Sequence, residues 1–298
     1  MTVSLPLTAK DFKHLFSEEI TWCAGCGDFG ILAGLQQALA GLAIEPHRVM
    51  FSSGIGCGSK LPDYIKANGW QTLHGRALPS AQGFKLAQHQ MTVIAITGDG
   101  DGIGEGGNHW LHAMRRNVDF THVLQDNQTY GLTKGQASPT SPSGYIGGTT
   151  PEGAIEAQAN PLTLALAAGA TFVSRAFSGD VKQMVTVLQA AIQHQGYALV
   201  DVLQPCVTWN RYEYSYDWFR KRVYKLEDGE HEVTNLGAAF QRGLEWGDRI
   251  PTGIFFQTSR PTFDEQIPAI RQDPGTSVAL RPLTVDAERF EKMKARFT

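Results

Sequence analysis

Short β-branched and apolar runs alternate with helical patterns along this 298-residue chain, and that alternation limits its fold more than any other feature. The runs predict strands at 48–53, 91–97, 120–125, 171–176, 198–203 and 253–257. Helical spacing predicts helices at 29–43, 81–88, 108–116, 161–168, 181–193 and 236–245. Strands that alternate with helices in this way form an α/β fold with a mostly parallel sheet. Apolar residues make up 42% of the chain, enough for a sizeable core. The stretch 131–153 is rich in Gly, Ser, Thr and Pro; it is too long for an ordinary connection and reads as a functional loop. The stretch 210–232 is aromatic and charged, with Tyr212, Tyr214, Tyr216, Trp218, Phe219, Arg220, Lys221 and Arg222. It reads either as an arm for another subunit or as a cover for the chain's own core. Residues after Pro274 read as a peripheral tail.

In open α/β sheets, ligands bind beyond the carboxyl ends of the strands. Four predicted strands end in unusual chemistry. One runs into Gly54-Ile55-Gly56-Cys57, one into Gly98-Asp99-Gly100-Asp101-Gly102, one into Asp126-Asn127 and one into Gln204-Pro205-Cys206. Glycine is 32 of 298 residues, about 11% against a usual ~7%, and it clusters rather than spreading. If these strands are parallel, two cysteines, an acidic glycine loop and an Asp-Asn pair share one edge. The four cysteines are Cys23, Cys26, Cys57 and Cys206, and the first two form a CxxC. Disulfides are rare in a reducing compartment, so two readings stand: a metal site, which the CxxC favours, or four unrelated buried thiols.

Glycines in Gly98-Asp99-Gly100 let the backbone approach a ligand, and a following helix N-terminus favours an anion. Asp99 would repel a bare phosphate. Mg²⁺ resolves the conflict by taking aspartate oxygen on one side and phosphate oxygens on the other. A neutral oxygen donor on a neighbouring strand end would complete the protein's share; Asn127 suits it, with the Thr129 carbonyl as a third. The alternatives are a plain β-α turn at 98–102 and a plain turn residue at Asn127. A rival reading takes Gly102-Ile103-Gly104-Glu105-Gly106-Gly107 as a dinucleotide fingerprint with Asp126 on the ribose. It starts about four residues beyond the strand end and leaves Asp99 and the cysteines without a role.

Gly98-Asp99-Gly100, separated by 26 residues from Asn127, resembles the thiamine-diphosphate motif, whose usual Asn-Asn ending is Asp126-Asn127 here. Together with Cys23-x-x-Cys26, Gly54-Ile55-Gly56-Cys57, His74-Gly75-Arg76, Tyr130-Gly131-Leu132-Thr133-Lys134-Gly135-Gln136 and Cys206, it resembles a β subunit of the two-subunit 2-oxoacid:ferredoxin oxidoreductases from about Ser17 to Pro268. The resemblance implies a thiamine-diphosphate-binding fold with helices on both faces of the sheet. Residues 1–298 would form a single diphosphate-binding domain with an N-terminal CxxC segment, and 210–298 a C-terminal extension or arm.

The same resemblance implies the site. Cys23, Cys26, Cys57 and Cys206 would hold one [4Fe–4S] cluster, for which four thiolates suffice. A Cys₄ zinc site is the alternative, though structural zinc more often uses two compact CxxC pairs. Mg²⁺ would sit on Asp99, Asn127 and the Thr129 carbonyl. Gly56, Cys57 and Leu132 would line the thiazolium end of thiamine diphosphate, with Ile55, His74, Gly98, Gly100 and Gly131 also touching the cofactor. His74 and Arg76 would act near it, ahead of a helix led by Pro79. Lys60 and Lys134 are candidates for substrate carboxylates, and Leu132-Thr133-Lys134-Gly135-Gln136 looks like chains acting on 2-oxoglutarate rather than pyruvate. The implied reaction is CoA-dependent oxidative decarboxylation of a 2-oxoacid to acyl-CoA and CO₂, reversible in principle, with single electrons passing through the cluster to ferredoxin. One diphosphate-type unit is present without a second copy, which implies an α subunit in a heterodimer or dimer of heterodimers. Different classes remain for comparison: an iron-sulfur electron-transfer module without thiamine, and a non-redox thiamine-dependent decarboxylase subunit.

Charge and hydropathy set the remaining limits. With 26 basic against 29 acidic residues the net charge is −3, which gives no global support for nucleic-acid binding. No apolar run reaches the ~18 residues of a membrane span, and residues 1–16 contain no signal-peptide apolar region. The expectation is a cytoplasmic protein with no membrane or nucleic-acid partner.

Overall fold

The computed structural model describes residues 6–14, 19–210, 213–282 and 285–297; Ser17 and Tyr212 of the sequence reading lie outside them. Eight strands form one sheet: β1 (Val49–Ser53), β2 (Asn68–Gln71), β3 (Thr92–Gly98), β4 (Phe120–Asp126), β5 (Phe172–Phe177), β6 (Tyr197–Leu203), β7 (Val223–Lys225) and β8 (Ile250–Gln257). Their order is β2-β1-β3-β4-β6-β5-β8-β7. The first six neighbours pair in parallel, so β1, β3, β4 and β6 end on one edge. β8 runs antiparallel to β5 and carries β7 with it.

Strand side chains alternate between the two faces, and both faces are apolar here. Ile94, Ile96, Val123, Val200 and Val202 meet one core, with helices α1 (Asp28–Gly41) and α5 (Val181–Gln193) over them. Val93, Ala95, Leu124 and Leu199 meet the other core. It is covered by α2 (Ala77–Ala87), α3 (Gly107–Arg116), α4 (Pro161–Ala167) and α6 (Leu236–Gly243). Local signals set the helix ends. The Asn160 side chain accepts from the N–H groups of Leu162 and Thr163 ahead of Pro161. Asp180 does the same for Gln183, and Asn117 closes α3 in the left-handed region.

The sheet departs from the sequence reading at its margins. β2 is exposed at all four positions and β7 is three residues long, so neither shows the alternation that marks a strand. β8 begins at Ile250 rather than 253, with Pro251 and Gly253 masking its start. α2 begins at Ala77, and Pro79 falls inside its first turn, where proline costs no hydrogen bond. The aromatic stretch covers the chain's own sheet: Tyr214 and Phe219 are buried with Phe177, Leu203 and Ile250. β7 and β8 thus bring the first part of 210–298 into the sheet, while α7 (Ala287–Lys294) buries no residue.

One buried ion pair ties β5 to β6. Arg175 and Asp201 are register partners, with Nε 2.7 Å from Oδ2, and the guanidinium lies over the Trp246 ring. Both side chains are shut off from water. Removing one member strands a charge, at a typical cost of about 3–5 kcal/mol, whereas an apolar pair of similar volume avoids that penalty. Asp201→Ala is therefore expected to lower the unfolding free energy by about that much, and Arg175→Met with Asp201→Leu by clearly less. Urea unfolding of the two variants compares them.

Candidate active site

The turns that follow β1, β2, β3, β4 and β6 converge at the carboxyl edge. One cavity there is lined by Ile55, Gly56, Cys57, Gly58, His74, Gly98, Asp99, Gly100, Asp101, Gln125, Asn127, Thr129, Tyr130, Gly131, Leu132 and Thr133. The sequence-predicted cofactor residues thus meet in one place. A Cβ on Gly56 would meet no atom within 4 Å, and one on Gly98 only the Gln125 carbonyl at 4.0 Å, so both glycines leave open backbone toward the cavity. Gly100 has a different cause: any side chain there would overlap the Tyr130 ring, whose hydroxyl donates to the Gly100 carbonyl at 3.2 Å.

Asp99 is buried at the start of a π-helical turn, Gly100–Glu105. Its Oδ2 accepts from Ser138 Oγ and Thr140 Oγ1, both at 2.5 Å. Burial pushes its carboxyl up to about 6, opposed mainly by these hydroxyls and by backbone N–H groups. Thr140 Oγ1 also lies 2.8 Å from Asp126 Oδ1. A hydroxyl has one hydrogen and cannot donate to two carboxylates; one of the acids must supply the second hydrogen. Burial, with Asp201 and Asp99 nearby, drives the Asp126 carboxyl well above its usual range. This residue, which departs from the usual Asn-Asn ending, is not among the lining of the cavity.

The sequence shows Asp101 as the second acid of the glycine loop but assigns it no role. Asp101 Oδ1 accepts from Gly75 N at 2.6 Å, His74 Nδ1 at 2.8 Å and Ile55 N at 3.1 Å, binding three strand ends together. With Nδ1–H committed to the carboxylate, His74 keeps Nε2 for the cavity it lines. Arg76 does not join it. Its guanidinium donates to the carbonyls of Gly75 at 3.2 Å and Glu105 at 2.9 Å, which fixes the π-helical turn, and Arg76 is absent from the cavity lining.

After β4 the chain closes a small loop in which Tyr130 N donates to the Gln136 carbonyl and Gly135 N to the Tyr130 carbonyl. Asn127 Oδ1 accepts from Thr129 N at 3.0 Å, and Gln128 is the left-handed residue of that turn. Lys134 and Gly135 are both left-handed, at φ +83° and +85°. A non-glycine residue there costs on the order of 1–3 kcal/mol. The Trp209 ring presses on Gly135, where a Cβ would come within 2.7 Å of it, and Trp209 Nε1 donates to the Gly131 carbonyl at 3.0 Å.

All four cysteines line a second cavity of about 260 Å³, with Trp22, Lys60, Lys134, Gln204, Thr208 and Trp209 also in its walls. Cys57, Asn127, Gly131 and Leu132 belong to both cavities. Trp22 Nε1 donates to the Cys57 carbonyl at 2.7 Å, which fixes the CxxC segment to the turn after β1. Burial, then Asp28, pushes the Cys26 thiol upward; the same causes push Cys57 up to about 11. Among the described residues no three His, Cys, Asp or Glu side chains close on the space of a single metal ion. Lys60 Nζ donates to Thr21 Oγ1 at 2.9 Å. The turn after β6 is joined to the turn after β4 three times: Gln204 N to Asp126 O at 2.9 Å, Asn210 Nδ2 to Asn127 O at 2.7 Å, and the Trp209 bond. Among the described residues no helix is long and apolar enough to cross a membrane.

Residues 54–202 match the family model for the thiamine pyrophosphate enzyme, C-terminal TPP binding domain. Residues 206–272 match the family model for the C terminal of the pyruvate ferredoxin oxidoreductase beta subunit. The chain is 41% identical over 298 residues to 2-oxoacid:ferredoxin oxidoreductase 1, subunit beta, of Aeropyrum pernix, covering 93% of each. It is 44% identical over 234 residues to the 2-oxoglutarate oxidoreductase subunit KorB of Mycobacterium tuberculosis, covering 77% of this chain and 62% of that one. A solved 2-oxoglutarate:ferredoxin oxidoreductase from Magnetococcus marinus, with 2-oxoglutarate, coenzyme A and succinyl-CoA bound, superposes with a TM-score of 0.89 at 37% identity, covering 98% of this chain and 97% of that one. A cofactor cavity and a four-thiol cavity that share a wall, on a backbone with this likeness over nearly its whole length, place the chain in the family of 2-oxoacid:ferredoxin oxidoreductase β subunits.

Proposed function

We propose that this β subunit holds thiamine diphosphate with Mg²⁺ in the first cavity and a [4Fe–4S] cluster among the four thiols. With an α subunit, it would convert 2-oxoglutarate and coenzyme A to the acyl-CoA and CO₂, with ferredoxin taking the electrons. The observation that carries this reading is the shared wall: Cys57, Asn127, Gly131 and Leu132 separate the two cavities by single residues. The names of the Mycobacterium tuberculosis and Magnetococcus marinus proteins support 2-oxoglutarate as the acid.

Bound thiamine diphosphate supplies the electron sink for decarboxylation; the chain's residues bind and orient. Asp99 would hold Mg²⁺ with Asn127 and the Thr129 carbonyl. A buried carboxyl opposed by hydroxyls rather than by a cation suits that ion. Open backbone at Gly56 and Gly98 leaves room for the diphosphate and the thiazolium. Leu132 would line the thiazolium end of the cofactor, and His74, held by Asp101, would present Nε2 to it. The thiol cavity of about 260 Å³ compares with the ~30 Å³ share of one liquid water, room for a body of several atoms. Lys60 and Lys134 line that cavity beside Leu132, where two ammonium groups suit the two carboxylates of 2-oxoglutarate. Leu73, the chain neighbour of His74, is 77% exposed, which suits cover by an α subunit.

Four outcomes test the reading. An anaerobic preparation of the α and β chains together is expected to contain iron, acid-labile sulfide and thiamine diphosphate. Cys206→Ser should abolish cluster absorption yet retain Mg²⁺-diphosphate binding; intact absorption removes Cys206 from the ligand set. Lys134→Gly is expected to lower kcat/KM for 2-oxoglutarate by about 10- to 100-fold relative to pyruvate, the usual scale of one charged hydrogen bond. An unchanged ratio ends the role of Lys134. The β chain purified alone is expected to show no CoA-dependent oxidation of 2-oxoacids with a dye acceptor.

A further inference from the structure

We infer that Gln204 and Thr208 set the reduction potential of the iron-sulfur site by hydrogen-bonding its cysteine sulfurs. The inference rests on the cluster reading above and adds two residues that are not ligands. Gln204 follows the last residue of β6 and is buried. Its backbone N–H is held by the Asp126 carbonyl at 2.9 Å. Its side chain runs past Gly27, where a Cβ would come within 2.7 Å of Gln204 Cγ and 2.9 Å of Ser178 Oγ. Glycine at position 27 therefore keeps the path open, and the amide Nε2 donates to Cys26 Sγ at 3.1 Å. Gln204 Oε1 has no hydrogen-bond partner among the described residues, so the sulfur is the partner that orients this amide. On the other ligand of the CxxC, Thr208 Oγ1 donates to Cys23 Sγ at 3.0 Å.

The consequence follows from charge. When the cluster accepts one electron, negative charge on its ligand sulfurs grows. N–H and O–H donors stabilise the reduced form more than the oxidised one. Removing a donor therefore moves the potential to a more negative value. The two bonds differ in surroundings: Cys26 is buried and Cys23 is exposed. Water can replace the Thr208 hydroxyl at Cys23, but nothing replaces the Gln204 amide in the interior. The shift should therefore be larger for Gln204.

The test uses the anaerobic α/β complex, titrated with dithionite and followed by electron paramagnetic resonance of the reduced cluster. Gln204→Leu is expected to lower the midpoint potential, and Thr208→Val to lower it less. In D₂O, the exchangeable deuteron coupling of the wild-type cluster should weaken in Gln204→Leu. Should Gln204→Leu fail to retain iron, Gln204→Met keeps the length without a donor and gives the same readout. Potentials and deuteron couplings equal to wild type in the Gln204 and Thr208 variants, with full iron and sulfide, overturn the inference and leave the cluster reading standing. A wild-type complex without iron and sulfide overturns both.

Discussion

Three hydrogen bonds between the turn after β6 and the turn after β4 hold the two halves of the site together. Gln204, Trp209 and Asn210 reach across to Asp126, Gly131 and Asn127. Each is worth only about 1 kcal/mol net, but their importance is geometric. The first turn carries Cys206, and the second carries Asn127 and the loop with Leu132 and Lys134. Parallel pairing of β4 with β6 brings the two turns to one edge, and the three bonds set the spacing of Cys206 from Asn127 and Leu132. The common wall of the two cavities is the product of that spacing.

Around this join, polar groups replace one another in a closed set. Thr140 lies between Asp99 and Asp126, and burial holds the carboxyl of Asp126, the acid that stands where an amide is usual, well above its usual range. Asp101, two residues from Asp99, is turned to the opposite task of gathering N–H groups from the turns after β1 and β2. Two aspartates of one short glycine loop thus divide the work. One faces hydroxyls and the cofactor cavity, and the other anchors the backbone that shapes it.

How much of this was legible in the sequence depended on where each residue's partners lie. The central strands were readable because both faces are buried and their sequences are mostly apolar. β2 escaped because Asn68, Gly69, Trp70 and Gln71 are all exposed, and the reversed direction of β8 is set by a pairing that leaves no local trace. Asp99, Asn127 and the cysteines were readable because each follows a strand that ends on the same edge. Ser138, Thr140, Asp101 and Gln204 were not, since their roles arise when separate turns fold across one another. Arg76 stood beside His74 in the sequence, but its partner, the Glu105 carbonyl, lies 29 residues away. The aromatic stretch offered two destinations, and Phe177, Leu203 and Ile250 provide the one on its own sheet.

Lys134 occupies a backbone region in which glycine is at ease and lysine is not. Its backbone is held there by a loop on whose next residue, Gly135, the Trp209 ring presses. A lineage that exchanged this lysine for glycine would gain a more relaxed loop as it gave up the cation. Lysine at this position therefore carries a standing backbone strain on the order of 1–3 kcal/mol that glycine would release.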